Sequence, residues 1–236
     1  MQTERWERER AAALAGPPAG VCDAIAFRVA PPYSACLRAR TAWARVLRRA
    51  RHEARLARDF DPAALTDEAV SRLAALVDAE LLGGQLRRLA ARPDARPLRY
   101  AVEDGPPSAG GLSVDTTASY DWDAHCITVH RAAWGRAAPG LVRPMQIDGV
   151  HALSRLEWLA HTLGHEMVHA VVENACRSEE RLEGATRGAA AAAAGGHGPL
   201  FQRLNRHLMG HTAATRYAWA WRREGRRYEA AARAAR

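Results

Sequence analysis

Lysine is absent from the 236 residues: all 34 basic side chains are arginine, set against 26 acidic ones. So much arginine beside abundant alanine has the look of GC-rich coding, and arginine content alone argues little for guanidinium chemistry. The sign of the balance remains informative. A formal net charge of +8 favours polyanionic partners, nucleic acid first. Cysteine is scarce and scattered, and Cys22, Cys36, Cys126 and Cys176 form no CxxC pair. That suits neither a disulfide scaffold nor a thiolate zinc site, so the four are read as small buried hydrophobes. No run approaches the roughly 18 uninterrupted apolar residues of a membrane span, and MQTERWERER lacks the apolar segment of a secretory signal. The expectation is a soluble, intracellular protein, nuclear if its source is a eukaryote or a virus of one.

Hydrophobic residues at 48% and charged ones at 25% are globular values that argue against wholesale disorder. The reading is an Arg/Ala-rich extension over 1–60 and a single domain over 61–236. Within the extension, helices are expected around 3–15 and 36–58. The second places seven arginines, from Arg40 to Arg58, among Leu37, Val46, Leu47 and Leu56, as a solvated helix face or a nucleic-acid-binding arm. Thr66 before Asp67 and Glu68 is an N-cap, and Val70, Leu73, Leu76, Val77 and Leu81 follow at helical spacing up to Gly83-Gly84. Three short strands, 98–102, 112–116 and 126–130, predict a small antiparallel sheet. After a loop at 135–149, Ser154 and Glu157 form a capping box for a long helix. A polyalanine run, Ala189–Ala194, is flanked by glycines and reads as an insertion. A last helix is expected from Pro199 to near Gly210.

The long helix carries His165-Glu166-Met167-Val168-His169. In this HExxH pattern one helical turn separates two imidazoles, so both can bind one zinc ion, while Glu166 stands beside them to take a proton from water. At 100° per residue, Leu156, Leu163, Met167, Ala170 and Asn174 fall opposite His165, which predicts an apolar back for packing and a free histidine face. Trp158 and Val172 lie near that face, as substrate-cleft walls or as core. A catalytic zinc needs a third protein ligand. His161 is about 12 Å along the axis from His169, too far to share one ion. Glu173, Glu183 and the His207/His211 pair are candidates, but His197 stands out, because Gly195, Gly196 and Gly198 permit close approach and Pro199 launches the following helix.

The segments TLGHEMVHAVV and GHGPLFQRLNRHLMG together resemble the SprT-like (Spartan) zinc metallopeptidase family, whose signature is HExxH followed by HGxxF. His165, Glu166, His169, His197, Gly198 and Phe201 match it position by position. LVDAELLGGQL, SAGGL and HCITVHRAAW resemble the family's first helix, a small-residue strand entry and the strand before the catalytic helix. The likeness spans roughly residues 66–220. It implies an α+β, zincin-like core of a helix on a small sheet, then the HExxH helix and a third-ligand helix. It implies Glu166 as the catalytic residue, with His165, His169 and His197 as Zn2+ ligands. The gap between His169 and His197 is longer than the family's, and the polyalanine run accounts for it. No cysteine follows Cys176, so the family's CxxC zinc ribbon is missing, although RYAWAWRREG looks like the strand leading to it.

The family's activity is hydrolysis of proteins bound or crosslinked to DNA, a DNA-damage repair reaction switched on by DNA, single-stranded DNA above all. Arg216, Tyr217, Trp219, Trp221, Arg222 and Arg223 are candidate DNA contacts, rings stacking on bases and guanidiniums meeting phosphates. Alternating aromatics of a strand packed on a sheet explain the three rings as well. Two other functions stay open at this level: a DNA-binding protein with a catalytically silent zincin core, and a DNA-independent zinc peptidase. Glu166 speaks against the first, since a purely structural zinc site does not need it.

Overall fold

The computed structural model describes residues 35–90, 96–105, 117–135, 145–147, 150–176, 197, 201 and 204–211. The first element, α1 (Ala35–Glu53), buries Ala39, Ala42, Trp43, Val46 and Ala50 at helical spacing. These residues and Leu56 and Phe60 join the same hydrophobic cluster as the rest of the chain. The core therefore crosses residue 60 without a break, and residues 35–60 belong to the packed domain rather than to an extension. The expected helix at 3–15 lies outside the described residues.

Helix α2 (Asp67–Glu80) starts where the sequence places it, with Thr66 Oγ1 accepting from the Ala69 N–H at 3.2 Å. It ends at Glu80, followed by Gly83 and Gly84 at φ 62° and 75°. A short helix not expected from the sequence, α3 (Gln85–Ala90), begins directly after. The buried Asp78 carboxylate accepts from Leu86 N–H and Arg87 N–H at its start. Burial pushes the Asp78 carboxyl above its ordinary range against the pull of those two donors.

Strands β1 (Arg99–Glu103), β2 (Ala118–Asp121) and β3 (Cys126–His130) form one sheet in the order β1-β3-β2. The architecture is mixed α+β, but the sheet is not the antiparallel one expected. β2 and β3 are an antiparallel hairpin, whereas β1 lies parallel to β3, with Tyr100 opposite Ile127 and Val102 opposite Val129. The hairpin occupies one edge of β3, and β1 takes the other. The strand expected at 112–116 lies outside the described residues. Cys126 is free and buried, as expected; the other three cysteine side chains lie outside the described set.

A short helix, α4 (Arg131–Gly135), buries Trp134, whose indole N–H donates to the Thr117 carbonyl. Strands β4 (Met145–Ile147) and β5 (Val150–Ala152) pair as a hairpin, partly within the stretch expected to be loop. Helix α5 (Arg155–Val171) comes next. Its N-cap, Ser154, accepts from Glu157 N–H, while the Glu157 carboxylate reaches Leu153 N–H, one residue before the capping-box partner. Two further ties anchor this end to the 58–60 segment: Leu156 N–H to Arg58 O, and the buried Arg155 guanidinium to Phe60 O.

Among the described residues, no helix is long and apolar enough to cross a membrane.

Candidate metal centre

Helix α5 is buried almost all round, against α1, α2 and the sheet. Only Glu157, His165, Glu166 and His169 of its residues keep appreciable exposure. The expected apolar back holds through Ala170, but the free histidine face is confined to the HExxH turn itself. Trp158 and Val172 are not cleft walls. Both are 8% exposed and belong to the core, with the Trp158 ring 4.3 Å from Trp134. Asn174 leaves the packed side because the helix widens into a π-helical turn at Val172–Cys176, which shifts the register of that turn relative to α5.

The i, i+4 spacing brings the His165 and His169 rings to 5.1 Å. His197 meets both across the site, its Nε2 lying 3.0 Å from His165 Nε2 and 3.1 Å from His169 Nε2. One nitrogen from each of the three rings lies within 4.8 Å of the other two, and this is the group among the described residues able to hold a metal ion. Phe201 packs against all three rings. Its buried ring stacks on His169 at 4.1 Å and meets His165 and His197 edge-on at 5.0 and 4.9 Å.

The donor set fits zinc. A neutral imidazole offers one donor and one acceptor nitrogen, so three Nε2 atoms facing one another cannot be satisfied by hydrogen bonds among themselves. Zinc–nitrogen bonds of about 2.05 Å at tetrahedral angles would hold such nitrogens about 3.3 Å apart. The observed separations are within a few tenths of an ångström of that spacing. Glu166, half-buried, directly follows His165 and lies three residues before His169, so it projects near the same side of the helix.

Other histidines are sorted by the fold. His161 is buried, at 3% exposure, and its Nδ1 lies 2.9 Å from His211 Nε2, with its ring 4.0 Å from Trp43. His211 thus lies against α5. The last described turn, Asn205–Met209, ends at Gly210 with φ 70°, where the sequence places the helix end. Its tie to α1, from Trp43 Nε1 to the Met209 carbonyl at 2.8 Å, has no signal in the local sequence. Glu173, half-buried in the π-helical turn, is not one of the clustered donors. Glu183, the polyalanine run, Gly198 and the candidate DNA contacts Arg216, Tyr217, Trp219, Trp221, Arg222 and Arg223 lie outside the described residues.

Comparison of the chain with protein-family models, with curated proteins and with solved structures found no match.

Proposed function

We propose that the chain is a zinc-dependent endopeptidase of the SprT-like type, with a zincin-like core, that cleaves DNA-bound or DNA-crosslinked proteins and is stimulated by single-stranded DNA. The observation that carries the hydrolytic part is the convergence of His165, His169 and His197 Nε2 beside Glu166. Zinc bound there would supply Lewis-acid polarisation of a peptide carbonyl and of water. Glu166 accepts the proton that water loses as it adds to the carbonyl carbon, then delivers it to the leaving amine. Phe201 keeps the imidazoles oriented by packing against all three. The DNA-directed part is supported by the HExxH and HGxxF resemblance and by the net charge of +8.

The test is cleavage of a DNA-crosslinked protein by the zinc-loaded full chain, with and without single-stranded DNA, beside Glu166→Gln. The expected result is cleavage that requires DNA and falls at least about 10²-fold in the variant. Cleavage undiminished in the variant, or none under any DNA condition, would overturn the reading. Cleavage indifferent to DNA would leave a general zinc peptidase.

A further inference from the structure

We propose that the outer face of α1 is a binding surface for a nucleic-acid backbone, formed by Arg40, Arg48 and Arg51. This names the place of contact for the DNA-directed part of the reading above and rests on that part, not on the metal centre.

The fold divides the arginines of α1 into two sets. The inward set is consumed by the protein. Arg38 donates to the Glu80 and Leu81 carbonyls at the end of α2. Arg45 and Arg49 both pair with the Glu80 carboxylate, at 2.6 and 2.9 Å, and Arg49 also pairs with Glu53 at 2.6 Å. These contacts neutralise the two carboxylates and pull the Glu80 and Glu53 carboxyls below their ordinary range; burial works against that pull, most strongly at Glu80.

The outward set is Arg40, Arg48 and Arg51. All three are exposed, and none has an ion-pair or hydrogen-bond partner among the described residues. At 100° per residue they fall at 0°, 80° and 20°, so they share one face within an arc of about 80°. Roughly eleven residue steps of helix carry them over about 16 Å, comparable with about five phosphates of one strand at 3.4 Å each. Between them the face offers Thr41 and Ala44, both exposed, with the half-buried Leu47 at its edge, and no carboxylate.

The chemistry of the face favours nucleic acid over a lipid surface. A helix that lies on a membrane inserts large apolar side chains beside its cations. In α1 Trp43 and Val46 are buried in the core, and Leu47, the large apolar side chain nearest these arginines, is half-buried against it. Guanidiniums lacking partners among the described residues, on a helix clamped through its opposite side, form a rigid cationic ridge suited to phosphates.

The experiment is fluorescence anisotropy of a labelled single-stranded oligonucleotide titrated with the full chain over a range of salt. Three proteins are compared: the native chain, the triple variant Arg40→Gln/Arg48→Gln/Arg51→Gln, and the double variant Arg45→Gln/Arg49→Gln. With about 0.7 counterions released per contact, the triple variant should flatten the slope of log affinity against log salt by about 2. The double variant, whose guanidiniums are already paired, should change it by less than half as much. An unchanged slope in the triple variant, or equal losses in both, would overturn the proposal. So would loss of binding to phosphatidylserine vesicles in the triple variant with oligonucleotide binding intact. Binding is read without cleavage, so failure of this surface and failure of the peptidase reading are separate outcomes.

Discussion

The Trp43 indole N–H donates to the Met209 carbonyl at 2.8 Å, joining residues 166 positions apart. Around that bond, Trp43 also lies against His161 of α5 and stacks parallel to His211 at 6.2 Å. Met209 and His211 are thereby held to the HExxH helix by a residue of α1. Trp43→Phe keeps a ring in place but leaves the Met209 carbonyl without its donor. The expected cost is about 1–3 kcal/mol of unfolding free energy, the usual penalty for stranding a buried polar group, read from urea denaturation.

Gly164 sits one residue before His165, and a Cβ there would meet Trp43 at 3.0 Å and Met209 Sδ at 3.3 Å. In an open helix Gly→Ala would stabilise by about 1 kcal/mol. Here the indole cannot recede without breaking its bond to Met209, so overpacking, costing about 1–3 kcal/mol, should win. Gly164→Ala is expected to lower the urea midpoint. A rise would show that Trp43 has room to move.

His130 ends β3 at 3% exposure, with Nε2 3.1 Å from Ser119 Oγ and the Glu103 carboxylate 3.9 Å from Nδ1. Burial holds its pKa below the ordinary histidine value, and Glu103 offsets this only in part. A lowered folded-state pKa means the contribution is complete above the unfolded histidine pKa, about 6.5, and is lost as pH falls through the folded value. His130→Gln cannot be protonated. Between pH 7.5 and 5, the native chain should therefore lose more stability than the variant, by paired urea denaturation; parallel losses would contradict the assignment.

Local signals reach some parts of this structure and cannot reach others. The caps at Thr66 and Ser154, the αL glycine at 210 and the HExxH turn depend on neighbours a few residues away, and each appears where spacing places it. His197 is marked by its glycine-rich setting, and Phe201 by the resemblance to HGxxF. The parallel pairing of β1 with β3, and the burial of Trp158, depend on what arrives from elsewhere in the chain. The same holds for α1. Its arginine-rich pattern has a solvated face, yet on the other side Val46 is fully buried and Trp43 bonds to a residue far along the sequence. Distance along the helix separates His161 from His169, and its partner His211, fifty residues on, lies beyond any local signal.

The central claim is that three histidines form one zinc site in which Glu166 is not a ligand. The most direct measurement is zinc stoichiometry and affinity, by competition with a chelating dye, for the native full chain, Glu166→Gln and His197→Ala. One tightly held zinc per chain is predicted for the first two, with affinity at least about 10²-fold weaker when His197 is removed, as loss of one of three protein ligands requires. Native-like zinc affinity in His197→Ala, or loss of zinc in Glu166→Gln, would contradict the account.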